Sequence, residues 1–157
     1  HDDLALGAPQ RDSTDEGSVY VFLGPVTGTV VASEAADLTI TGDAEDMLFG
    51  GTMDVGDADG DGIPDLLVGT GMTTYSGSFG TYFSKAEAAA VFFGPTTGSW
   101  SSADADIVFS GTSGVFGNVV GFAGDMNGNG RDELVVAESE SPYSQTNQAW
   151  LYMAPGF

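Results

Sequence analysis

The sequence predicts an all-β protein built from repeated units of four antiparallel strands. Three observations support this fold class. The chain contains 24 glycines and 6 prolines, which mark frequent turns. The apolar stretches between these turns are short and rich in Val, Ile, Phe and Tyr, as is typical of β-strands. Their pattern recurs along the chain, which indicates an array of similar units.

The repeat is clearest in two acidic segments, 57–65 and 125–133, whose offset is 125 − 57 = 68. Three other pairs of similar segments are separated by nearly the same offset. These pairs are Phe49-Gly50 with Phe116-Gly117, 38–42 with 107–111, and 24–28 with 94–98. Because several independent landmarks agree, chance similarity is a poor explanation. The repeat therefore sets the order of the elements.

Each full unit begins with a Phe-Gly pair, and a strand leads from it into the acidic loop. The apolar run after the loop is the second strand, and two more strands follow. Second strands are expected at 66–68 and 134–136, third strands at 89–95 and 149–155, and fourth strands at 38–42 and 107–111. The start of the chain fits the same frame, with residues 3–9 as a second strand and 19–25 as a third.

Four strands at a period of about 60–70 residues are typical of a β-propeller blade. Residues 1–46 are interpreted as a blade that lacks its first strand, 47–113 as a complete blade, and 114–157 as a blade that lacks its last strand. This gives about two and a half blades. Since a blade buries its faces only against neighbours, we expect the remaining blades of a longer parent chain, or other copies, to complete the array.

The middle unit contains an insertion that spans roughly residues 72–87. The separation of Gly69 from Pro95 is 95 − 69 = 26, whereas that of Gly7 from Pro25 is 25 − 7 = 18, so the inserted length is 26 − 18 = 8. The insertion carries the aromatic residues Tyr75, Phe79, Tyr82 and Phe83. Such loops lie at surfaces and can bind partners, but the alternative is a loop that folds its aromatics onto its own blade.

The charge balance is strongly acidic. Asp and Glu number 23 against 3 Lys and Arg, which gives a formal net charge of −20. Nucleic acids and anionic membrane surfaces are bound by clustered basic side chains, so neither is an expected partner. Divalent cations are the partners that this charge favours. The chain is 41% hydrophobic, which is enough apolar material for a folded core and excludes a disordered acidic tail.

The sequence lacks two features, cysteine and long apolar runs, and this limits the kinds of site and location that we expect. The sequence has no cysteine, which excludes disulfides, thiolate metal sites and cysteine nucleophiles. In a secreted protein, rigidity would therefore come from the core or from bound metal. No apolar run is long enough for a transmembrane helix. The chain starts at His1 without a signal-peptide pattern, and we expect a processed form, an excised fragment or a sequence of unknown upstream extent.

The loop 57–65 has carboxylates at positions 1, 3, 5 and 9. They belong to Asp57, Asp59, Asp61 and Asp65. A hard cation such as Ca²⁺ prefers six to eight oxygen ligands, and alternate carboxylates on a curled loop point toward one centre. Gly62 at position 6 permits the sharp bend, and the backbone carbonyl of Ile63 would add a ligand. The alternative is a solvated acidic turn.

The loop 125–133 is a weaker version of the same pattern. Its candidate ligands are Asp125, Asn127, Asn129, the carbonyl of Arg131, and Glu133. Two carboxamides replace two carboxylates, so we expect weaker binding at equal geometry. The alternative is a vestigial loop without an ion. At the chain start only Asp3 matches position 9 of such a loop, and no intact site is expected there.

An EF-hand is excluded by the residues that follow each loop. That motif requires a bidentate Glu at position 12 and a following helix. Position 12 is Val68 in one loop and Val136 in the other, and the apolar runs around them favour strands.

These features together resemble the FG-GAP repeat, the blade of integrin α-subunit propellers and of many bacterial secreted proteins. Phe49-Gly50 and Phe116-Gly117 match its "FG", and Gly7-Ala8-Pro9 matches its "GAP", which is degraded to Gly69-Thr70-Gly71 and Ala137-Glu138-Ser139. The resemblance covers essentially the whole chain. It implies a calcium loop between the first two strands of a blade. It further implies an extracellular, calcium-stabilised propeller that presents loops to ligands, usually without catalysis.

Catalysis finds little support in the residues. His1 is the only histidine, so a Ser-His-Asp triad would have to use the chain terminus, and a copper site there would lack a second histidine. Glu138 and Glu140 could serve as a glycosidase pair, but their alternation is more typical of a solvated edge. We therefore expect a protein that is not an enzyme.

The expected function is a structural or adhesive one, outside the cell or at its surface, with Ca²⁺ as the cross-link. An extracellular protein or a glycan is the expected kind of ligand. One alternative is a lectin-like module that binds sugars through Trp100, Tyr75 or Tyr82, with Trp150 in the core. Another is the accessory propeller of a secreted hydrolase. Membrane insertion is not expected.

Overall fold

A computed structural model describes residues 1–9, 14–71, 75–77, 80–82, 88–94, 97–111, 116–138 and 148–153. The predicted all-β class is confirmed. The strands are β1 (Leu4–Ala8), β2 (Ser18–Phe22), β3 (Leu38–Thr41), β4 (Phe49–Gly56), β5 (Asp65–Thr70), β6 (Tyr75–Gly77), β7 (Gly80–Tyr82), β8 (Ala88–Phe92), β9 (Gly98–Ser101), β10 (Ile107–Ser110), β11 (Phe116–Gly124), β12 (Glu133–Glu138) and β13 (Ala149–Tyr152). A four-residue helix, α1 (Ala32–Ala35), and a 3₁₀ turn at Ser102–Asp104 are the helical segments of the described residues.

The middle sheet has the order β10-β8-β5-β4, and all its neighbours are antiparallel. Its strands follow one another along the chain apart from β6, β7 and β9. The second, third and fourth strands predicted for this unit are confirmed as β5, β8 and β10. Loop 57–65 joins the first two strands, β4 and β5, and so lies at one end of the sheet.

The flanking sheets contain the remaining predicted strands. The third sheet has the antiparallel order β11-β12-β13, and loop 125–133 joins β11 to β12. The first sheet has the order β1-β2-β3-β9. Its first three strands are antiparallel, as predicted, but β9 lies parallel to β3. That strand is a departure from the predicted antiparallel units.

The β9 strand follows β8 of the middle unit in the sequence but pairs with β3 of the first sheet, and the packing of Trp100 favours this position. The Trp100 ring lies edge-on to Phe92, with ring centroids 6.3 Å apart. It thereby helps to cover the core between the first and middle sheets. Its indole N–H donates to the carbonyl oxygen of Thr97 at 3.2 Å.

The middle sheet is buried on both faces, because one core lies on each side of it. Alternate residues of β5 serve the two cores, with Val68 facing the first sheet and Leu67 facing the third. On β8, Phe92 faces the first sheet and Val91 faces the third. Burial on both faces explains why these segments are continuous apolar runs instead of alternating ones. The result is a stack of three sheets.

Neighbouring sheets approach closely through pairs of glycines. A Cβ added to Gly69 on β5 would lie 2.1 Å from the carbonyl oxygen of Gly117 on β11. A Cβ added to Gly7 on β1 would lie 2.1 Å from that of Gly50 on β4. The same contact therefore recurs at both junctions of the stack. Gly50 and Gly117, which follow the buried Phe49 and Phe116, have positive φ of +87° and +84°, a conformation that residues with a Cβ rarely adopt.

The predicted insertion lies mostly outside the described residues. Within it, β6 and β7 form a two-stranded antiparallel sheet in which Tyr75 pairs with Tyr82. The expectations for Phe79 and Phe83 fall on residues that the structure does not describe. In the part of the chain that is described, no helix has the length and apolar character needed to cross a membrane.

Candidate metal-binding loops

Hydrogen bonds from its own backbone shape the loop 57–65. Asp57 is the organising residue, since its Oδ1 accepts from the N–H of Gly60 at 2.7 Å and its Oδ2 from that of Gly62 at 2.9 Å. Both glycines have positive φ, +80° and +81°, a conformation that side chains with a Cβ rarely adopt. The spacing of aspartates and glycines therefore closes the loop into a tight curl.

The curl brings three of the predicted ligands together. Asp57, Asp59 and Asp61 each offer a carboxylate oxygen, and these oxygens all lie within 4.8 Å of one another. Two oxygens bound to one Ca²⁺ ion can be no further apart than twice the Ca–O distance, which is about 5 Å. The group therefore fits around a single hard cation. Without a counter-ion its three negative charges would repel one another.

The loop also fixes the orientation of these carboxylates. Asp59 Oδ1 accepts from the N–H of Asp61 at 3.0 Å, and Asp61 Oδ1 accepts from that of Ile63 at 2.7 Å. The Ile63 side chain is exposed, so this residue is not held by the core. Each of the two carboxylates thus keeps one oxygen on the backbone, and lone pairs remain for a cation.

Asp65 has a different position from the other three aspartates. It is almost fully buried, and its Oδ2 accepts from the N–H of Ala58 at 2.7 Å while Oδ1 accepts from that of Gly94 at 2.9 Å. Burial raises the pKa of Asp65 above its ordinary value, against the lowering effect of these two hydrogen bonds. It is not one of the three grouped carboxylates. Asp65 therefore ties the loop to the start of the turn after β8.

The second loop repeats most of the hydrogen bonds of this scaffold. Asp125 accepts from the N–H groups of Gly128 and Gly130 at 2.7 and 2.9 Å, as Asp57 does from its two glycines. Asn129 Oδ1 accepts from the N–H of Arg131 at 2.9 Å, which matches the bond from Ile63 to Asp61. Glu133 Oε2 accepts from the N–H of Met126 at 2.6 Å, which matches the bond from Ala58 to Asp65.

The electrostatics of the second loop differ from those of the first. The N–H of Gly130 holds the pKa of Asp125 below its ordinary value, with further contributions from Gly128 and Asn129. Glu133 is fully buried, and its Oε1 accepts from the side-chain amide of Asn127. That bond leaves the Oδ1 of Asn127 available as a neutral ligand. The loop thus combines two carboxylates with amide oxygens.

Contacts between the two loops were not foreseen from the sequence. Asp132 Oδ2 accepts from the N–H of Asp57 at 3.0 Å, and the N–H of Asp132 donates to the carbonyl oxygen of Asp57 at 2.7 Å. The loops also touch at Gly60, where an added Cβ would lie 2.8 Å from the carbonyl oxygen of Gly130. The sequence indicated only that the two loops occupy equivalent positions in neighbouring units.

At the chain start, Asp3 matches position 9 as predicted. Its Oδ1 accepts from the N–H of Gly24 at 2.8 Å, just as Asp65 accepts from Gly94. The repeat therefore preserves this structural bond in the first sheet as well.

Glu138, Trp150 and Trp100 are all at least partly buried. The solvated edge expected for Glu138 is wrong, because this residue is 6% exposed at the end of β12, while Glu140 falls outside the described residues. Trp150 lies against the second core, as expected, with its ring 5.0 Å from that of Phe116. Trp100, a candidate sugar-binding residue, is half-buried against Phe92.

Comparison with models of known protein families finds no match, and comparison with curated proteins also finds none.

Proposed function

We propose that this chain is a noncatalytic calcium-binding repeat protein with a structural or adhesive role outside the cell. The observation that carries the proposal is the convergence of Asp57, Asp59 and Asp61 at the end of the middle sheet. Carboxylate oxygens are the ligands that Ca²⁺ prefers, and the backbone of the curl orients them before any ion binds. The loop 125–133 provides the second, weaker site.

The number and kind of ligands favour calcium over softer metals. The three grouped carboxylates and the carbonyl of Ile63 are hard oxygen donors, and water would complete the six to eight positions. The sequence has no cysteine and only one histidine, so thiolate or imidazole ligation is not an alternative here. Sites of the roughly 10⁻⁴–10⁻³ M class would be half to almost fully occupied at the millimolar calcium found outside cells. This is the reason for the proposed extracellular location.

We further propose that the three sheets are FG-GAP blades of a propeller. Two features support this assignment. A calcium-type loop joins the first two strands of the middle and third sheets, and a glycine pair recurs at both sheet junctions. The remaining blades of a parent chain, or other copies, would complete the array. Loops at the ends of the sheets would then present an extracellular protein or glycan with a rigid surface.

The structural role is preferred to the lectin interpretation because of Trp100. Sugar-binding aromatics need an open ring, whereas the Trp100 ring is partly buried, lies edge-on to Phe92 and donates its N–H to Thr97. The structure does not describe the side chains of Tyr75 and Tyr82. The lectin and accessory-propeller interpretations therefore gain no support from the described contacts.

Calorimetric titration with Ca²⁺ tests the proposal. The variant Asp59→Asn with Asp61→Asn keeps the side-chain size but removes two charges from the cluster, so we expect its affinity at this loop to fall at least about tenfold. The matched control is Glu34→Gln with Glu45→Gln, which removes the same charge from exposed positions elsewhere. Unchanged binding in the loop variant, or an equal loss in the control, would refute the site.

A further inference from the structure

We infer that the two loops bind calcium as a coupled pair, with Asp132 as the positioning residue that connects them. This inference rests on the proposed function and extends it to the regulation of the first site. Occupancy of loop 125–133 raises the affinity of loop 57–65, and the effect is carried through the backbone of Asp57. The basis is the set of contacts between the loops.

Asp132 holds the backbone of Asp57 on both sides. Its carboxylate accepts the Asp57 N–H at 3.0 Å, and its own N–H donates to the Asp57 carbonyl at 2.7 Å. The two residues are 75 positions apart in the sequence. The bond to the carboxylate is part-buried, so it is shielded from competition with water.

Asp57 is also the residue through which the first loop is organised. Its two carboxylate oxygens hold the N–H groups of Gly60 and Gly62, and it belongs to the grouped carboxylates. A displacement of its backbone would therefore move a ligand and loosen the curl together. Fixing that backbone pre-organises the site, which raises affinity by lowering the ordering cost of binding.

In the second loop, Asp132 lies between two predicted ligand positions. Arg131 on one side is held by Asn129 Oδ1, and Glu133 on the other is buried against Met126 and Asn127. An ion that orders residues 125–133 would thus restrict Asp132 from both directions. Asp132 then transmits that restriction to Asp57 through its two hydrogen bonds.

A second contact keeps the loops in register. A Cβ added to Gly60 would lie 2.8 Å from the carbonyl oxygen of Gly130 and 2.9 Å from Cγ of Arg131. A side chain at position 60 would therefore force the loops apart. The loops approach each other closely at this point, so the position of one loop restricts the space open to the other.

The direction of coupling follows from the balance of charge and geometry. Two bound dications repel each other, which acts against joint binding. The ordering of Asp57 through its two hydrogen bonds with Asp132 acts in the opposite direction and must exceed that repulsion. Coupling must be reciprocal, and we expect a factor of about fivefold, at the lower end of typical values.

The first experiment is a set of calcium titrations by calorimetry on the full chain. The junction variant is Asp132→Ala, and the second-loop variant is Asp125→Ala with Asn129→Ala. Each should weaken binding at loop 57–65 about fivefold, and the combination should be no weaker than either, because both interrupt the same connection. Asp132→Asn retains an acceptor oxygen and should be close to wild type. Glu34→Gln controls for the loss of one charge.

The second experiment measures exchange of the Asp57 amide hydrogen by NMR, in a variant whose first loop is disabled by Asp59→Ala and Asp61→Ala. Calcium then binds only to the second loop, and it should slow exchange of the Asp57 amide about fivefold. The added Asp132→Ala change should abolish that slowing. This readout reports the connection itself and not the affinity of the first loop.

The outcomes separate the two proposals. Calcium binding at loop 57–65 that is identical in the wild type and the second-loop variant would overturn the coupling and leave the proposed function intact. Additive losses of affinity in the combined variant would also overturn the coupling. So would an exchange rate of the Asp57 amide hydrogen that does not change when calcium binds the second loop. Absence of any calcium binding in the wild type would overturn both.

Discussion

At the residue scale, the carboxylates of the acidic loops divide into two roles. Asp57, Asp59 and Asp61 converge in a group that fits one cation. Asp65, although it belongs to the same sequence pattern, is buried and accepts two backbone N–H groups. Position 9 therefore accepts backbone hydrogen bonds in this chain, and Asp3 has the same role in the first sheet.

This division predicts that Asp65→Ala destabilises the protein even in a chelator. The change leaves the N–H groups of Ala58 and Gly94 without their acceptor, in a site that is at least partly buried, which costs about 1–3 kcal/mol. The comparison variant is Asp3→Ala, whose single bond to Gly24 is exposed and should cost about 1 kcal/mol or less. Urea denaturation measures both. Equal losses would show that burial of Asp65 is not what makes it important.

The sequence predicted which three carboxylates of the first loop come together, but not the contacts between the two loops. Alternating aspartates and a glycine at position 6 are local signals, and the curl that they form is held by local hydrogen bonds. The contact of Asp57 with Asp132 depends on how two sheets pack, and the partners are 75 residues apart. A pattern within one loop carries no information about such a contact.

At the element scale, short apolar runs bounded by glycine, proline and aspartate predicted most of the strands. β5, β8, β10, β12 and β13 all lie where the repeat placed them. The β9 strand was not predicted, because residues 98–101 have no strong strand pattern and gain their place through the packing of Trp100. Equivalent turns also share an unforeseen bond, since Asp37 and Asp106 accept from the N–H groups of Leu23 and Phe93.

The glycine contact between sheets yields a prediction at this scale. Gly69→Ala would place a Cβ 2.1 Å from the carbonyl oxygen of Gly117, so the middle and third sheets must separate, at a cost of about 1–3 kcal/mol. Gly121→Ala is the matched control on β11, because its Cβ would meet only Asp54 Oδ2 at 3.6 Å. We expect the control to change stability by less than about 1 kcal/mol. Thermal denaturation in a chelator distinguishes them, and similar losses would contradict the close approach.

At the scale of the whole molecule, the chain is a stack of three sheets with a core on each side of the middle one. From the repeat, the sequence predicted the antiparallel strands of these three sheets but not the parallel strand β9. It did not predict how the loops of neighbouring sheets meet, since only packing brings Gly60 against Gly130. The two candidate sites therefore lie at the junction of the middle and third sheets. Ions bound there would stabilise the stack where those sheets meet.

The most direct test of this account is the thermal midpoint of the full chain in calcium and in a chelator. Calcium at about one hundred times a dissociation constant of roughly 10⁻⁴ M contributes about 2.7 kcal/mol, which should raise the midpoint by about 5 to 10 °C. Asp59→Ala with Asp61→Ala should remove most of that rise, while Glu34→Gln with Glu45→Gln should retain it. The same midpoint for the wild-type chain in calcium and in chelator would contradict the claim that calcium holds these sheets together.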